Sequence, residues 1–263
     1  MTTTPGLPEG GYKRYCGWLL AAYVADLPVP EEGPDAQKAD QALLNMALDL
    51  PGPRSINRPV PESTKHLGLL FHGYHEIYQS VSALDDLIVY LARFPFGQTS
   101  VTRSRYLQFV IEGYFHENYI LQMRLRSYAT QIERAWRQDD KQSVVKTACC
   151  ELRELVEKDF EVLNQTRGTL VHKQRLTDSG LEALSTLELF CSVERRAWER
   201  HYMARFKSVR KQWLSTMRTN SSELKRLLDL YFAVLCKIGF SDSGTPLFPR
   251  TGGPAHARVQ GRR

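Results

Sequence analysis

The stretch Asn164-Gln165-Thr166-Arg167-Gly168-Thr169-Leu170-Val171-His172-Lys173 sets a guanidinium and an imidazole five residues apart. That pair suits phosphodiester cleavage in RNA, where the substrate brings its own nucleophile, the 2′-hydroxyl. An imidazole titrating near neutrality can remove the hydroxyl proton or protonate the leaving 5′-oxygen. An arginine that keeps its charge holds the phosphate and offsets the negative charge growing on its oxygens. Such a reaction needs no metal and no cofactor. In a regular helix, residues five apart point about 140° away from each other. The pair must therefore meet through a bend, which Gly168 admits, or across two copies of the chain. Asn164 and Thr169 are the polar neighbours able to support the histidine. The plainer alternative is a salt bridge from Arg167 to Glu161 and a hydrogen bond from His172 to a nearby carbonyl.

A second feature is charge. Between Val193 and Arg218 the basic residues Arg195, Arg196, Arg200, Arg205, Lys207, Arg210, Lys211 and Arg218 face only Glu194 and Glu199, so this segment carries the chain's entire formal net charge of +6. A stripe of this density can meet the phosphates of a nucleic acid or an acidic partner, or remain a solvated helix face.

Other chemistry is poorly provided for. His72, His75 and Glu76, and likewise Glu112 and His116, lack the repeated Glu-x-x-His pairs that helical di-metal sites require. Glu117 and Arg124 lie seven residues apart, two helical turns, and predict an internal ion pair. The tyrosines around them fall at helical spacing and predict core rather than a base-stacking platform. The five cysteines are odd in number and lack ligand-like spacing, which predicts reduced thiols and a cytoplasmic protein. No stretch approaches the ~20 apolar residues of a membrane span. The apolar run from Cys16 to Ala25 lacks the flanks of a signal peptide.

The elements that must position these residues are helices. With 42% hydrophobic residues the chain can bury a core without disulfides or a metal. From Ser63 the residues Leu67, Leu70, Tyr74, Ile77, Val81, Leu84, Ile88 and Leu91 alternate three and four apart, which predicts a long helix with one packing seam, ended at Phe94-Pro95. A second helix is predicted from Thr102 to about Gln138 with Leu107, Val110, Tyr114, Leu121, Leu125, Tyr128, Ile132 and Ala135 on its stripe, antiparallel to the first. A third runs from Ser143 to about Thr166, burying Val145, Ala148, Leu152, Leu155 and Leu163. A fourth begins at Ser179, in capping-box register with Glu182, and continues through the basic stripe to Met217. A fifth starts near Asn220 to Ser222 and ends at Gly239. The expectation is thus an all-α antiparallel bundle of about five long helices over residues 63–240. It is preceded over 1–62 by a proline-rich N-terminal cap or arm, where nine of the thirteen prolines and two short helix candidates lie, Tyr15 to Asp26 and Ala36 to Leu50. It is followed over 241–263 by a Gly-, Pro- and Arg-rich tail with little to bury, expected to be disordered.

In its helical architecture and in Arg167-Gly168-Thr169-Leu170-Val171-His172 the chain resembles the HEPN superfamily, compact helical bundles whose ribonuclease members carry an Arg-x(4 to 6)-His motif late in the bundle. The resemblance covers roughly Ser63 to Met217. It implies a homodimer whose facing motifs form one composite site that cuts single-stranded RNA, with His172 as general acid and base and Arg167 as phosphate ligand. It also implies a place in toxin-antitoxin or antiviral defence, with a cognate antitoxin as partner protein. Gly168 stands where catalytic members usually carry Asn, Asp or another polar residue. The alternative reading is therefore a catalytically silent bundle that docks nucleic acid or a protein through the Arg195 to Arg218 stripe.

Overall fold

The computed structural model describes residues 10–26, 61–93, 101–172 and 179–250, with the backbone alone at Val24 and over 162–172. The described residues form six helices: α1 (Gly11–Asp26), α2 (Glu62–Ala92), α3 (Arg103–Ala135), α4 (Gln142–His172), α5 (Ser179–Val193) and α6 (Arg195–Gly239). No β-strand is present among them; Phe240 and Pro246 make one isolated bridge.

The apolar spacing of α2 and α3 does what its period demands. Leu67, Leu70, Tyr74, Ile77, Leu84 and Leu91 are buried, and Val81 and Ile88 pack half-buried against the same core. α2 ends at Ala92, ahead of Pro95. Thr102 caps α3, its side chain accepting from the Arg105 backbone N–H at 3.4 Å. The two helices run antiparallel: Tyr106 donates to the Tyr90 carbonyl at 3.0 Å, Arg124 to that of Glu76 at 2.8 Å, and Tyr128 to that of Leu70 at 2.8 Å. α4 returns along α3, with Arg153 on Glu133 at 2.6 Å and Arg126 on Glu157 at 3.9 Å.

Three elements differ from the sequence-based expectation. The helix before residue 62 belongs to the core rather than to an outlying arm. Tyr15 and Leu19 of α1 are buried, and the Tyr15 hydroxyl bonds that of Tyr128. α1 lies so close to α6 that a Cβ on Gly11 would sit 2.1 Å from the Asp229 carbonyl oxygen. The other candidate helix of this region, Ala36 to Leu50, lies outside the described residues. Second, the break expected near Asn220 is absent: the chain turns at Glu194, and α6 then runs unbroken for 45 residues. The Ser/Thr-rich stretch that looks like a helix stop is absorbed by the helix itself, since Thr216 and Ser222 donate to the carbonyls of Gln212 and Arg218 four residues back. Third, residues 241–250 fold back instead of trailing. The Leu247 N–H donates to the Gly239 carbonyl at 2.8 Å, and Arg250 binds Asp139 and Asp140. Residues 251–263 lie outside the described part.

This fold-back covers His66. The imidazole is 6% exposed, edge-on to Trp136 and Phe248, and its Nε2 has no hydrogen-bond partner among the described residues. Desolvation holds its pKa down at about 4. The exposed Glu62 and Lys65, paired at 2.6 Å, are the charged groups beside it. Since the unfolded imidazole titrates near ~6.5, between these values only the unfolded chain binds the proton, and stability is lost as pH falls through that window. Urea unfolding is expected to show wild type losing roughly 2–3 kcal/mol more between pH 7.5 and 4.5 than His66→Leu does. Equal losses in both proteins would refute this assignment.

Candidate functional site

α4 carries the Arg-x4-His segment, and it neither stops at Thr166 nor breaks at Gly168: the helix continues to His172. Positions 167 and 172 on one continuous helix lie about 140° apart around its axis. Of the two ways to bring the pair together, the local bend is therefore not the one the backbone offers. The side chains of Asn164, Arg167, Thr169 and His172 lie outside the described residues. What the structure does place is the face from which they continue. Val145, Cys149, Leu152, Val156 and Phe160 anchor the first turns of α4 in the core.

The basic stripe resolves into two groups. Taking Arg196 as origin, Arg200, Lys207, Lys211 and Arg218 follow at +4, +11, +15 and +22, which at ~100° per residue puts all five within about 60° of arc. All five are exposed, and none has an ion pair among the described residues. They form a row along roughly 33 Å of α6. The remaining members are spent elsewhere. Arg195 pairs with Glu199 at 3.1 Å off this row. Arg205 is half-buried, with its Nε lacking an acceptor among the described residues. Arg210 donates to the Ala92 carbonyl at 3.3 Å, at the C-terminal end of α2, and lies over the Phe206 ring. Helical spacing alone sets Arg195 and Arg205 off this row, whereas the Ala92 bond of Arg210 is visible only in the structure.

The Glu117–Arg124 pair is present at 4.0 Å, but Arg124 also crosses to α2, donating to Ser80 Oγ at 2.6 Å and to the Glu76 carbonyl. It is a fastener between helices. His72 faces Glu76 at 3.5 Å on the exposed side of α2. Among the described residues, no three His, Cys, Asp or Glu are grouped to hold a metal ion. All five cysteines are free thiols, and burial pushes those of Cys149 and Cys236 up to about 11.

Two features escaped the sequence reading. The first is a cleft of about 510 Å³ between α3, α4 and α6, with Asn118, Asp159, Phe160, Asn220, Leu227 and Leu230 in its wall. Asn118 is buried in the stripe of α3, its Nδ2 donating to the Tyr114 carbonyl at 2.8 Å. A lone Asn at a core position was the only signal of it. The second is the exposed apolar corner of Leu189, Phe190, Val193 and Trp198 at the α5–α6 turn, where the rings of Phe190 and Trp198 lie 5.1 Å apart.

No described helix is long and apolar enough to cross a membrane. In comparison with known proteins, the chain matches no family model, no curated protein and no solved structure.

Proposed function

We propose that this protein is a metal-independent endoribonuclease of the HEPN type, acting on single-stranded RNA as a homodimer. The observation that carries the reading is the Arg-x4-His motif on the last turns of a helix whose earlier turns are anchored in an all-helical core. Because α4 continues through Gly168 as one helix, Arg167 of one chain works with His172 of the other, and an isologous interface supplies both pairings from one surface. The imidazole takes the proton of the 2′-hydroxyl. That oxygen attacks the adjacent phosphorus, the P–O5′ bond breaks, and the proton passes to the leaving 5′-oxygen. The products are a 2′,3′-cyclic phosphate and a 5′-hydroxyl. The arginine neutralises the phosphorane oxygens throughout. The experiment is incubation of single-stranded RNA with the protein in EDTA, scored for cyclic-phosphate ends. Absence of cleavage, or ends of another kind, would remove the proposal.

A second reading, a silent module that binds polyanions, is favoured by the row on α6. Five cations on one face, unpaired among the described residues, cost the folded chain electrostatic repulsion that no described contact offsets. Both readings need this row to hold RNA, but only the second is indifferent to His172. Neutralising Arg200, Lys207 and Lys211 together is expected to weaken RNA binding and to lower the slope of log affinity against log salt by about 2. Arg205 and Arg210 are unsuitable for this test because their burial and the Ala92 bond tie them to the fold. An unchanged salt slope in filter binding would show that the row is only a solvated face.

A further inference from the structure

The cleft between α3, α4 and α6 has chemistry of its own. Its floor is apolar, from Phe160, Leu224 and Leu227, and apart from Leu230 its rim is polar and rich in acceptors. Asp159 lines it with no partner among the described residues, whereas Glu223 is held by Arg226 through contacts of 3.0 and 3.2 Å. The buried amide of Asn118 and that of Asn220 add groups able to hydrogen-bond. A flat, mostly apolar ligand with a hydrogen-bonding edge suits this lining. A phosphate does not, because the unpaired charge in the wall is negative.

The position of the cleft narrows the ligand class. Phe160 is the last core residue described on α4, and the same helix continues past it to His172. Position 167 lies seven residues beyond Phe160, two turns along the same face and about 10 Å up the axis. A base seated in the cleft would thus belong to a strand whose neighbouring phosphate is carried toward the Arg-x4-His segment.

We infer that this cleft is a nucleobase pocket that selects guanine in single-stranded RNA. Stacked over the apolar floor, guanine turns its N1–H and N2–H₂ donors toward the single Asp159 carboxylate, a two-bond match that uracil, with one donor between two acceptors, cannot make. Unpaired bases are read in this way, on the Watson–Crick edge with an apolar or aromatic face beneath. The inference deepens the ribonuclease reading and rests on it for biological sense, but it is separately testable.

The test is isothermal titration of the full-length protein with GMP and with UMP. A good two-bond match predicts at least about tenfold tighter binding of GMP. Asp159→Asn exchanges an acceptor for a donor and is expected to bring the two affinities within about threefold. Leu230, 60% exposed at the rim, gives an independent variant: Leu230→Trp fills the opening and is expected to weaken GMP at least about tenfold. Equal affinities in wild type, no GMP binding at millimolar concentration, or a preference unchanged in both variants would each overturn the pocket. RNA cleavage is scored separately. Selective GMP binding without cleavage removes the ribonuclease and keeps the pocket, and cleavage without selective binding does the reverse.

Discussion

His172→Ala leaves at most about one hundredth of the wild-type rate of RNA cleavage in EDTA, because a positioned acid-base group contributes ~10²–10⁴-fold. Arg167→Ala loses a comparable factor through the uncompensated phosphorane charge. The informative measurement is the mixture. If the working pair is Arg167 of one chain and His172 of the other, a heterodimer of the two variants keeps one intact pair and loses the other entirely. Two inactive preparations are then expected to regain a substantial part of the wild-type rate once subunits exchange. A pair housed within a single chain gives no such recovery. Light scattering on the same mixture reports whether a dimer forms, so a monomer that cleaves RNA would sink the composite site outright. The continuity of α4 through Gly168 is what makes recovery the expected result.

Gly73→Ala is expected to be a strongly damaging single-methyl change in the described core. An added Cβ would lie 2.2 Å from Cδ2 and 2.5 Å from Cε2 of the Tyr128 ring. That ring cannot yield, since its hydroxyl donates to the Leu70 carbonyl at 2.8 Å and bonds Tyr15, and the side chain is 1% exposed. Moving it would separate α2 from α3 and loosen α1 together. Overpacking of this kind costs up to about 3 kcal/mol or more, a fall in Tm of roughly 6–12 °C for a chain of this size. Gly68, five residues earlier on the same helix, provides the control: a Cβ there meets nothing within 4 Å. Gly68→Ala is expected to raise stability by about 0.5–1 kcal/mol through helix propensity alone. Equal melting temperatures for the two variants would show that the α2–α3 contact at Tyr128 is not the tight one described.

What could be read from the sequence was periodic. The three-four spacing from Leu67 to Leu91 and the stripe from Leu107 to Ile132 define buried faces without knowledge of any partner, because a helix with one apolar side must bury it. The ion pair of Glu117 with Arg124 followed from the same geometry, two turns apart. The Arg-x4-His spacing is likewise in the sequence, and with it the chemistry the pair would perform.

Tertiary structure decided the rest. Whether Ser221 and Ser222 end a helix depends on partners that local sequence does not contain. Here Ser221 meets Asp85 of α2 at 3.2 Å, Ser222 bonds back to Arg218, and the helix continues past the basic row to Gly239. The short apolar helix behind Gly11 has no long period to mark it as core, and only the close approach of α6 at Asp229 and Ala233 shows that it is. The cleft is the clearest case. Asn118, Asp159 and Asn220 are far apart in the chain and unremarkable on their own helices, and only the packing of α3, α4 and α6 gathers them around one volume. Periodicity reports which face of a helix is buried. It carries no term for where two such faces part.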